Sequence, residues 1–249
     1  MNEKEIRSLI EMMENSTFII DDNKYIMKDF LREHIETKKQ RKGWNSYKKF
    51  CLFASCLLLR NQSGTIIIED KEYYKSNLLL EKLIKKYPTI ELNWNEETLF
   101  QLIDEARYSS YKKSAPIVLQ KAKKIFSEKY NSDLNYYISL AEKNIENHFQ
   151  KDFFLGINGV KYKTRDLGVS CFSNRYLSVD RHLLKVTKEI GLSKFSNISN
   201  DIWNKDCPGN KKEYISVVKF LIHIAEIADV TPYYLDRLFW NYGKRVLEK

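Results

Sequence analysis

The stretch FLGINGVKYKTRDLGVSCFSNRYLSVDRHLLKVTKEIGL, residues 154–192, decides how the rest of the chain is read. Two glycines, Gly156 and Gly159, bracket a tight turn; glycine tolerates positive φ and lets another backbone come close. A helix is predicted from about Tyr162 to Cys171. Its free first-turn N–H groups would form an anion site suited to a phosphate, with Lys161 as a cation beside it. Such a turn by itself is an ordinary link between helices. What sets this one apart is Lys163, at the mouth of the turn, and Asp180, 17 residues on (180 − 163). Asp180 is placed to N-cap a second helix, Arg181 to Ile190, which Gly191 stops.

A lysine amine free in water is protonated at neutral pH. Burial or a neighbouring cation, here Lys161, frees its lone pair for attack on carbon. An amine that displaces a nucleobase from C1′ of a nucleotide leaves a Schiff base, from which the 3′ phosphate is eliminated. A carboxylate such as Asp180 stabilises the cationic sugar formed on the way. Either residue alone reads as a solvated lysine or a plain cap; the two together carry the signal.

The composition agrees with a polyanionic partner. The chain has 42 Lys and Arg against 33 Asp and Glu, a formal charge of +9, and an excess of that size points most simply to nucleic acid. Its 249 residues suffice for one large domain or two small ones, and 43% hydrophobic content excludes a disordered chain. Only 8 Gly and 4 Pro are present, which favours long helices. Cys51, Cys56, Cys171 and Cys207 match no zinc or iron–sulfur spacing, so no cofactor is expected. Cys51 and Cys56, in the run FCLFASCLLL, read as buried small hydrophobes. No secretory signal is visible, and the longest apolar run, Cys51 to Leu59, is too short to span a bilayer. The expectation is a soluble, intracellular protein with no membrane partner.

Helical periodicity marks residues 3–15, 45–60, 71–87, 98–105, 111–129, 134–147 and 212–228, and a last helix runs from Pro232 to about Tyr242. The segment TIIIED (65–70) has strand propensity, but a lone short strand without an evident partner is overridden. The fold class is then all-α, with roughly ten helices and no internal repeat. The tract KKQRKG (38–43) reads as a linker or a DNA-facing loop, and residues 193–210 as loop-rich.

GINGVKYKT followed by SVDRHLLKV resembles the helix–hairpin–helix DNA glycosylase superfamily, which includes endonuclease III and the 8-oxoguanine glycosylases. The family hairpin runs Leu-Pro-Gly-Val-Gly-x-Lys-Thr, followed by Val-Asp-x-His; here Asn158 stands for the proline and Lys161 for the second glycine. The resemblance carries the catalytic lysine onto Lys163, the catalytic aspartate onto Asp180 and a structural histidine onto His182. It also implies that the carbonyls of Leu155, Ile157 and Val160 could hold a monovalent cation. ARYSSYKKSAPIVLQKAKKI (106–125) looks like the family segment that precedes the hairpin. LLLRNQSG falls where these enzymes have their strand-invading loop, so Asn61 or Gln62 would fill the hole left by a flipped base.

The tail LDRLFWNYGKRVLEK resembles that of the archaeal-type 8-oxoguanine DNA glycosylase/AP lyases, with a tryptophan nine residues before a terminal lysine, here Trp240 and Lys249 (249 − 240). That resemblance implies base recognition by Trp240, Phe239 and the carboxylate of Lys249. It implies DNA contacts from Gly159, Lys161, Arg165 and Arg181 besides the loop residues. The architecture implied is two helical subdomains with DNA bound in a cleft: residues 46–165, ending in the hairpin and Lys163, and residues 1–45 with 166–249. The implied partner is double-stranded DNA carrying a damaged base, acted on by a monomer without a cofactor. A glycosylase for another base, or a non-catalytic DNA-binding module, remains open on the sequence.

Overall fold

The computed structural model describes residues 2–60, 62–109, 112–145 and 151–248. The chain forms two compact units, one of residues 1–40 and 173–249, the other of residues 41–172. In chain order the helices are α1 (Glu3–Glu14), α2 (Met27–Gln40), α3 (Ser46–Leu57), α4 (Lys75–Lys86), α5 (Glu96–Glu105) and α6 (Ala115–Tyr130). They continue as α7 (Leu134–Lys143), α8 (Tyr162–Ser170), α9 (Arg181–Glu189), α10 (Asn200–Trp203), α11 (Lys211–Ile227) and α12 (Pro232–Tyr242). Asp133, Asp180, Asn210 and Thr231 cap α7, α9, α11 and α12 with their side-chain oxygens, which accept orphan N–H groups at the helix starts.

The helical reading needs two corrections. Helix α2 is not among the helices expected, and its last turn takes in Lys38 to Gln40 of the tract read as a linker or DNA-facing loop. The second correction concerns strands. Two antiparallel hairpins are present, β1 (Thr17–Ile20) with β2 (Asn23–Ile26), and β3 (Thr65–Ile68) with β4 (Lys71–Tyr74). TIIIED is therefore a strand and its turn, and the helix expected from Lys71 starts only at Lys75. Both turns place two acidic residues at positive φ, Asp21 and Asp22 in one, Glu69 and Asp70 in the other. That is the two-residue geometry whose twist matches paired strands. The hairpins are also a repeat that the sequence reading missed. In each, the residue after the second strand donates its N–H to the carbonyl before the first, Met27 to Ser16 and Lys75 to Gly64, both at 2.9 Å.

The 41–172 unit is built around α3. From Lys49 to Leu57 every residue of α3 is buried, including Cys51 and Cys56 as expected, and a helix apolar all round belongs at the centre of a bundle. Phe50 stacks on Phe126 at 4.1 Å, and Phe53 packs on Phe154 and Tyr137 at 4.8 and 5.2 Å. Helix α8 lies so close to α3 that a Cβ on Gly168 would fall 2.6 Å from Cδ2 of Phe53 and 3.3 Å from its carbonyl oxygen. A border after residue 165 would cut this helix; the close approach at Gly168 keeps α8 whole within the unit. Gly168→Ala is expected to cost about 1–3 kcal/mol, since the buried Phe53 ring is packed against Tyr137 and Phe154 and has little room to yield. Thermal unfolding measures it.

The other unit packs α12 against α2 and α9. Its core includes Ile6, Ile10 and Met13 of α1, Leu221 and Ile224 of α11, and Leu235, Leu238 and Phe239 of α12. Among the described residues no helix is long and apolar enough to cross a membrane.

Candidate active site

The residues singled out in the sequence fall in two groups, one in each unit. In the 41–172 unit the chain enters the turn through a 3-10 segment, Phe154–Gly156, and Val160 N–H closes it by donating to the Ile157 carbonyl at 3.0 Å. Gly159 has φ +98°, while a Cβ there would meet only ordinary contacts. Backbone conformation, not space, therefore requires glycine at 159. Gly156 has neither a positive φ nor a crowded Cβ position, so the expectation of special geometry holds at one glycine of the two. Helix α8 then starts with Lys161 as N-cap. Thr164 Oγ1 accepts from the Lys161 N–H at 3.3 Å and donates to the Lys161 carbonyl at 3.0 Å. Lys161 is exposed, and Lys163 is half-buried at the second position of α8.

Sequence reasoning missed Arg60. Its Nη1 lies 3.9 Å from where a Gly159 Cβ would stand, so a guanidinium from beyond the end of α3 borders the turn. No spacing rule could have found it, because it comes from nearly a hundred residues upstream (159 − 60 = 99). The turn carries the carbonyls of Leu155, Ile157 and Val160, the oxygens expected from the resemblance to face a monovalent cation. The Ile157 oxygen already accepts one hydrogen bond and keeps its second lone pair.

Several expected contacts fall elsewhere. Arg165 is fully buried and paired with Asp152 and Asp166. Its inward phase on α8 removes it from the surface, so it is not a phosphate ligand. Gln62 is also committed: its Nε2 donates to the Leu58 carbonyl at 2.8 Å, while its Oε1 accepts from Ser109 N–H at 3.0 Å and from Lys75 Nζ at 3.3 Å. Burial lowers the pKa of the Lys75 amine. Asn61 and Lys249 lie outside the described residues.

In the other unit, Asp180 ends a loop held at several points. Lys38, from the basic tract, is buried; its Nζ donates to the Ser173 carbonyl at 2.7 Å and sits 3.4 Å from the Tyr233 ring centroid. Tyr233 N–H donates to the Asn174 carbonyl at 3.1 Å, and Val179 N–H to the Tyr214 hydroxyl at 3.3 Å. Asp180 Oδ1 then accepts from the N–H groups of His182 and Leu183, at 3.0 and 3.2 Å. Both cap bonds use one oxygen of the half-buried carboxylate. Behind it stands buried Asp236. Burial pushes the Asp236 carboxyl up to about 6; Arg237, bonded to it at 2.7 Å, and the Ser178 amide oppose the shift, and the Asp180 charge adds to it.

The chain's last described residues fold onto α9. Gly243 lies against Val186 and His182, where a Cβ would meet atoms at 3.0 and 3.2 Å, and Glu248 N–H closes a wide helical turn on the Gly243 carbonyl. Glu248 Oε1 stands 3.5 Å from His182 Nδ1, 3.9 Å from Arg181 and 4.0 Å from Lys185. His182 is buried, with its ring edge-on to Trp240 at 5.8 Å. Trp240 is half-buried, with Lys244 and Arg237 at 4.9 and 5.9 Å from its ring. Phe239 is wholly inside the core, so it offers no face for stacking.

No family model and no curated protein matches the chain. Solved structures do. The 8-oxoguanine glycosylase/lyase of Methanocaldococcus jannaschii, crystallised with a 15mer DNA containing 8-oxoguanine, superposes with a TM-score of 0.61 at 16% identity over 98% of both chains. The 8-oxoguanine DNA glycosylase of Thermotoga maritima gives 0.65 at 16% identity over 96% of both. A second M. jannaschii 8-oxoguanine DNA glycosylase structure gives 0.61 at 17% identity, over 95% of this chain and 92% of that one. The chain shares their fold over nearly its whole length.

Proposed function

We infer from that shared fold, together with the retained amine and carboxylate, that this chain is a base-excision DNA glycosylase with AP-lyase activity on an oxidised purine, 8-oxoguanine. One observation carries most of the weight. Lys163 stands at the second position of the helix that opens from the Gly159 turn, and Asp180 caps the helix that opens the other half of the motif. A binding module needs the turn but neither of these residues.

The damaged nucleotide must leave the stack before its C1′ can be reached. The turn and the start of α8, with Lys161 and Arg60, hold a backbone phosphate. The Lys163 amine attacks C1′; the glycosidic electron pair leaves with the base, which takes up a proton, and the sugar ring opens to a Schiff base. Loss of a 2′ proton then expels the 3′ phosphate. Asp180 stabilises positive charge on the sugar while the base departs. Trp240, the half-buried aromatic of α12, offers a face for the extruded base. Strand cleavage of duplexes carrying one 8-oxoguanine, one oxidised pyrimidine or undamaged guanine tests this. Cleavage confined to 8-oxoguanine supports the reading. Cleavage at the pyrimidine moves it to another base, and cleavage of none, an abasic-site duplex included, removes the lyase step and leaves a monofunctional glycosylase or a binding module.

If Arg60 serves a phosphate beside Gly159, Arg60→Ala should weaken duplex binding about tenfold and lower the salt dependence of log K by about one ion. A titration by fluorescence anisotropy at several salt concentrations reads both.

A further inference from the structure

Arg165 and Asp152 carry a device that neither composition nor spacing suggested. Both side chains are entirely buried. Arg165 Nη1 donates to Asp152 Oδ2 at 3.1 Å, and its Nε lies 2.6 Å from Asp166 Oδ1. Tyr137 donates its hydroxyl to Asp152 Oδ2 at 2.7 Å, while Asp152 Oδ1 accepts the Phe154 N–H at 2.9 Å. Asp152 thus holds the start of the turn, and Arg165 holds the helix that leaves it. The two arms are tied across their base.

Ion pairs buried this deeply add little stability, because desolvation offsets the attraction. Their directionality is what an apolar replacement would lack. On an α-helix, residues two apart point about 200° from each other. With Arg165 locked inward, Lys163, two residues earlier (165 − 163), is held on the opposite side of α8, where it is half-buried. A rotation of α8 by one residue would carry the amine about 100° away.

We propose that Asp152 and Arg165 are positioning residues, a clamp that fixes the rotational phase of α8 against the turn and so aims the Lys163 amine. The role rests on Lys163 being the nucleophile. Asp152→Asn tests it, since the amide keeps an acceptor for Phe154 N–H but removes the ion pair; Arg165→Lys keeps the charge and loses the two-armed geometry. Two readouts are taken on full-length protein: amide hydrogen exchange over residues 157–164, and the rate of borohydride trapping on an abasic-site duplex at saturating protein. Both variants are expected to exchange at least tenfold faster there and to trap at least tenfold more slowly, with the Kd for the same duplex changed less than threefold. An unchanged trapping rate at saturation, or a loss that follows Kd alone, overturns the clamp. If wild-type protein traps no DNA, the nucleophile assignment fails instead. The exchange then judges the clamp alone, and unaltered protection over 157–164 overturns it.

Discussion

Lys163→Gln is expected to abolish covalent trapping of DNA and to slow excision by at least about a hundredfold, the range over which a single chemical group contributes. Its effect on folding should be small. Lys163 is half-buried near the start of α8, where glutamine and lysine have similar helix propensity, so stability should change by no more than about 0.5 kcal/mol. The variant should bind an abasic-site duplex nearly as well as wild type, because the phosphate contacts proposed for Gly159, Lys161 and Arg60 are untouched. Loss of chemistry with binding kept is the signature of a nucleophile. Loss of both would make Lys163 one more phosphate ligand.

Arg165→Met is expected to be the most destabilising single change in the 41–172 unit. It leaves Asp152 and Asp166 buried without their cation, a situation that costs about 3–5 kcal/mol, and thermal unfolding should fall by roughly 10 °C. The loss should depend on pH in a definite direction. Burial already raises the Asp152 carboxyl above its usual value, against the opposing charge of Arg165. Without the guanidinium the native state binds a proton there more tightly still. A group whose folded pKa is raised above its unfolded value gains stability as pH falls through that range. The variant should therefore recover part of its stability between pH 7 and pH 5 relative to wild type. Parallel unfolding curves at the two pH values measure it; a deficit that does not change with pH would mean that the carboxylates are not left charged.

Much of the helical frame was legible because it is written in local signals. Asp180 and Gly191 bound α9 as their cap chemistry demands, with Gly191 at φ +78°. Pro232 opens α12, and Tyr242 closes it. The hairpins were missed for a physical reason. Their turns use Asp-Asp and Glu-Asp at positive φ, where glycine or asparagine would have announced the geometry. The partner of β3 lies only three residues away, inside a segment that helical periodicity had claimed. The repeat itself is written in the residues: TFIIDDNKYI (17–26) and TIIIEDKEYY (65–74) share Thr, Ile, Ile, Asp and Tyr at matching positions, five of ten, but a ten-residue match 48 residues apart (65 − 17) is easily passed over.

The site divides in the same way. Lys163 and Asp180 could be singled out because turn, amine and cap are close in sequence. Arg165 looked like a phosphate ligand because it follows Lys163 closely, but helix phase turns it inward toward Asp152. Gln62 looked open because its partners, Ser109 and Lys75, are distant in the chain. Phe239 and Trp240 are neighbours in sequence, yet only Trp240 reaches the surface.

The most direct measurement is to trap wild-type protein on a duplex carrying one 8-oxoguanine with borohydride, digest the adduct and find by mass spectrometry which lysine bears the sugar. The modification is expected on the peptide containing Lys163 and on no other. A sugar on a different lysine, or no adduct with either 8-oxoguanine or an abasic site, would contradict the assignment of Lys163 as the nucleophile.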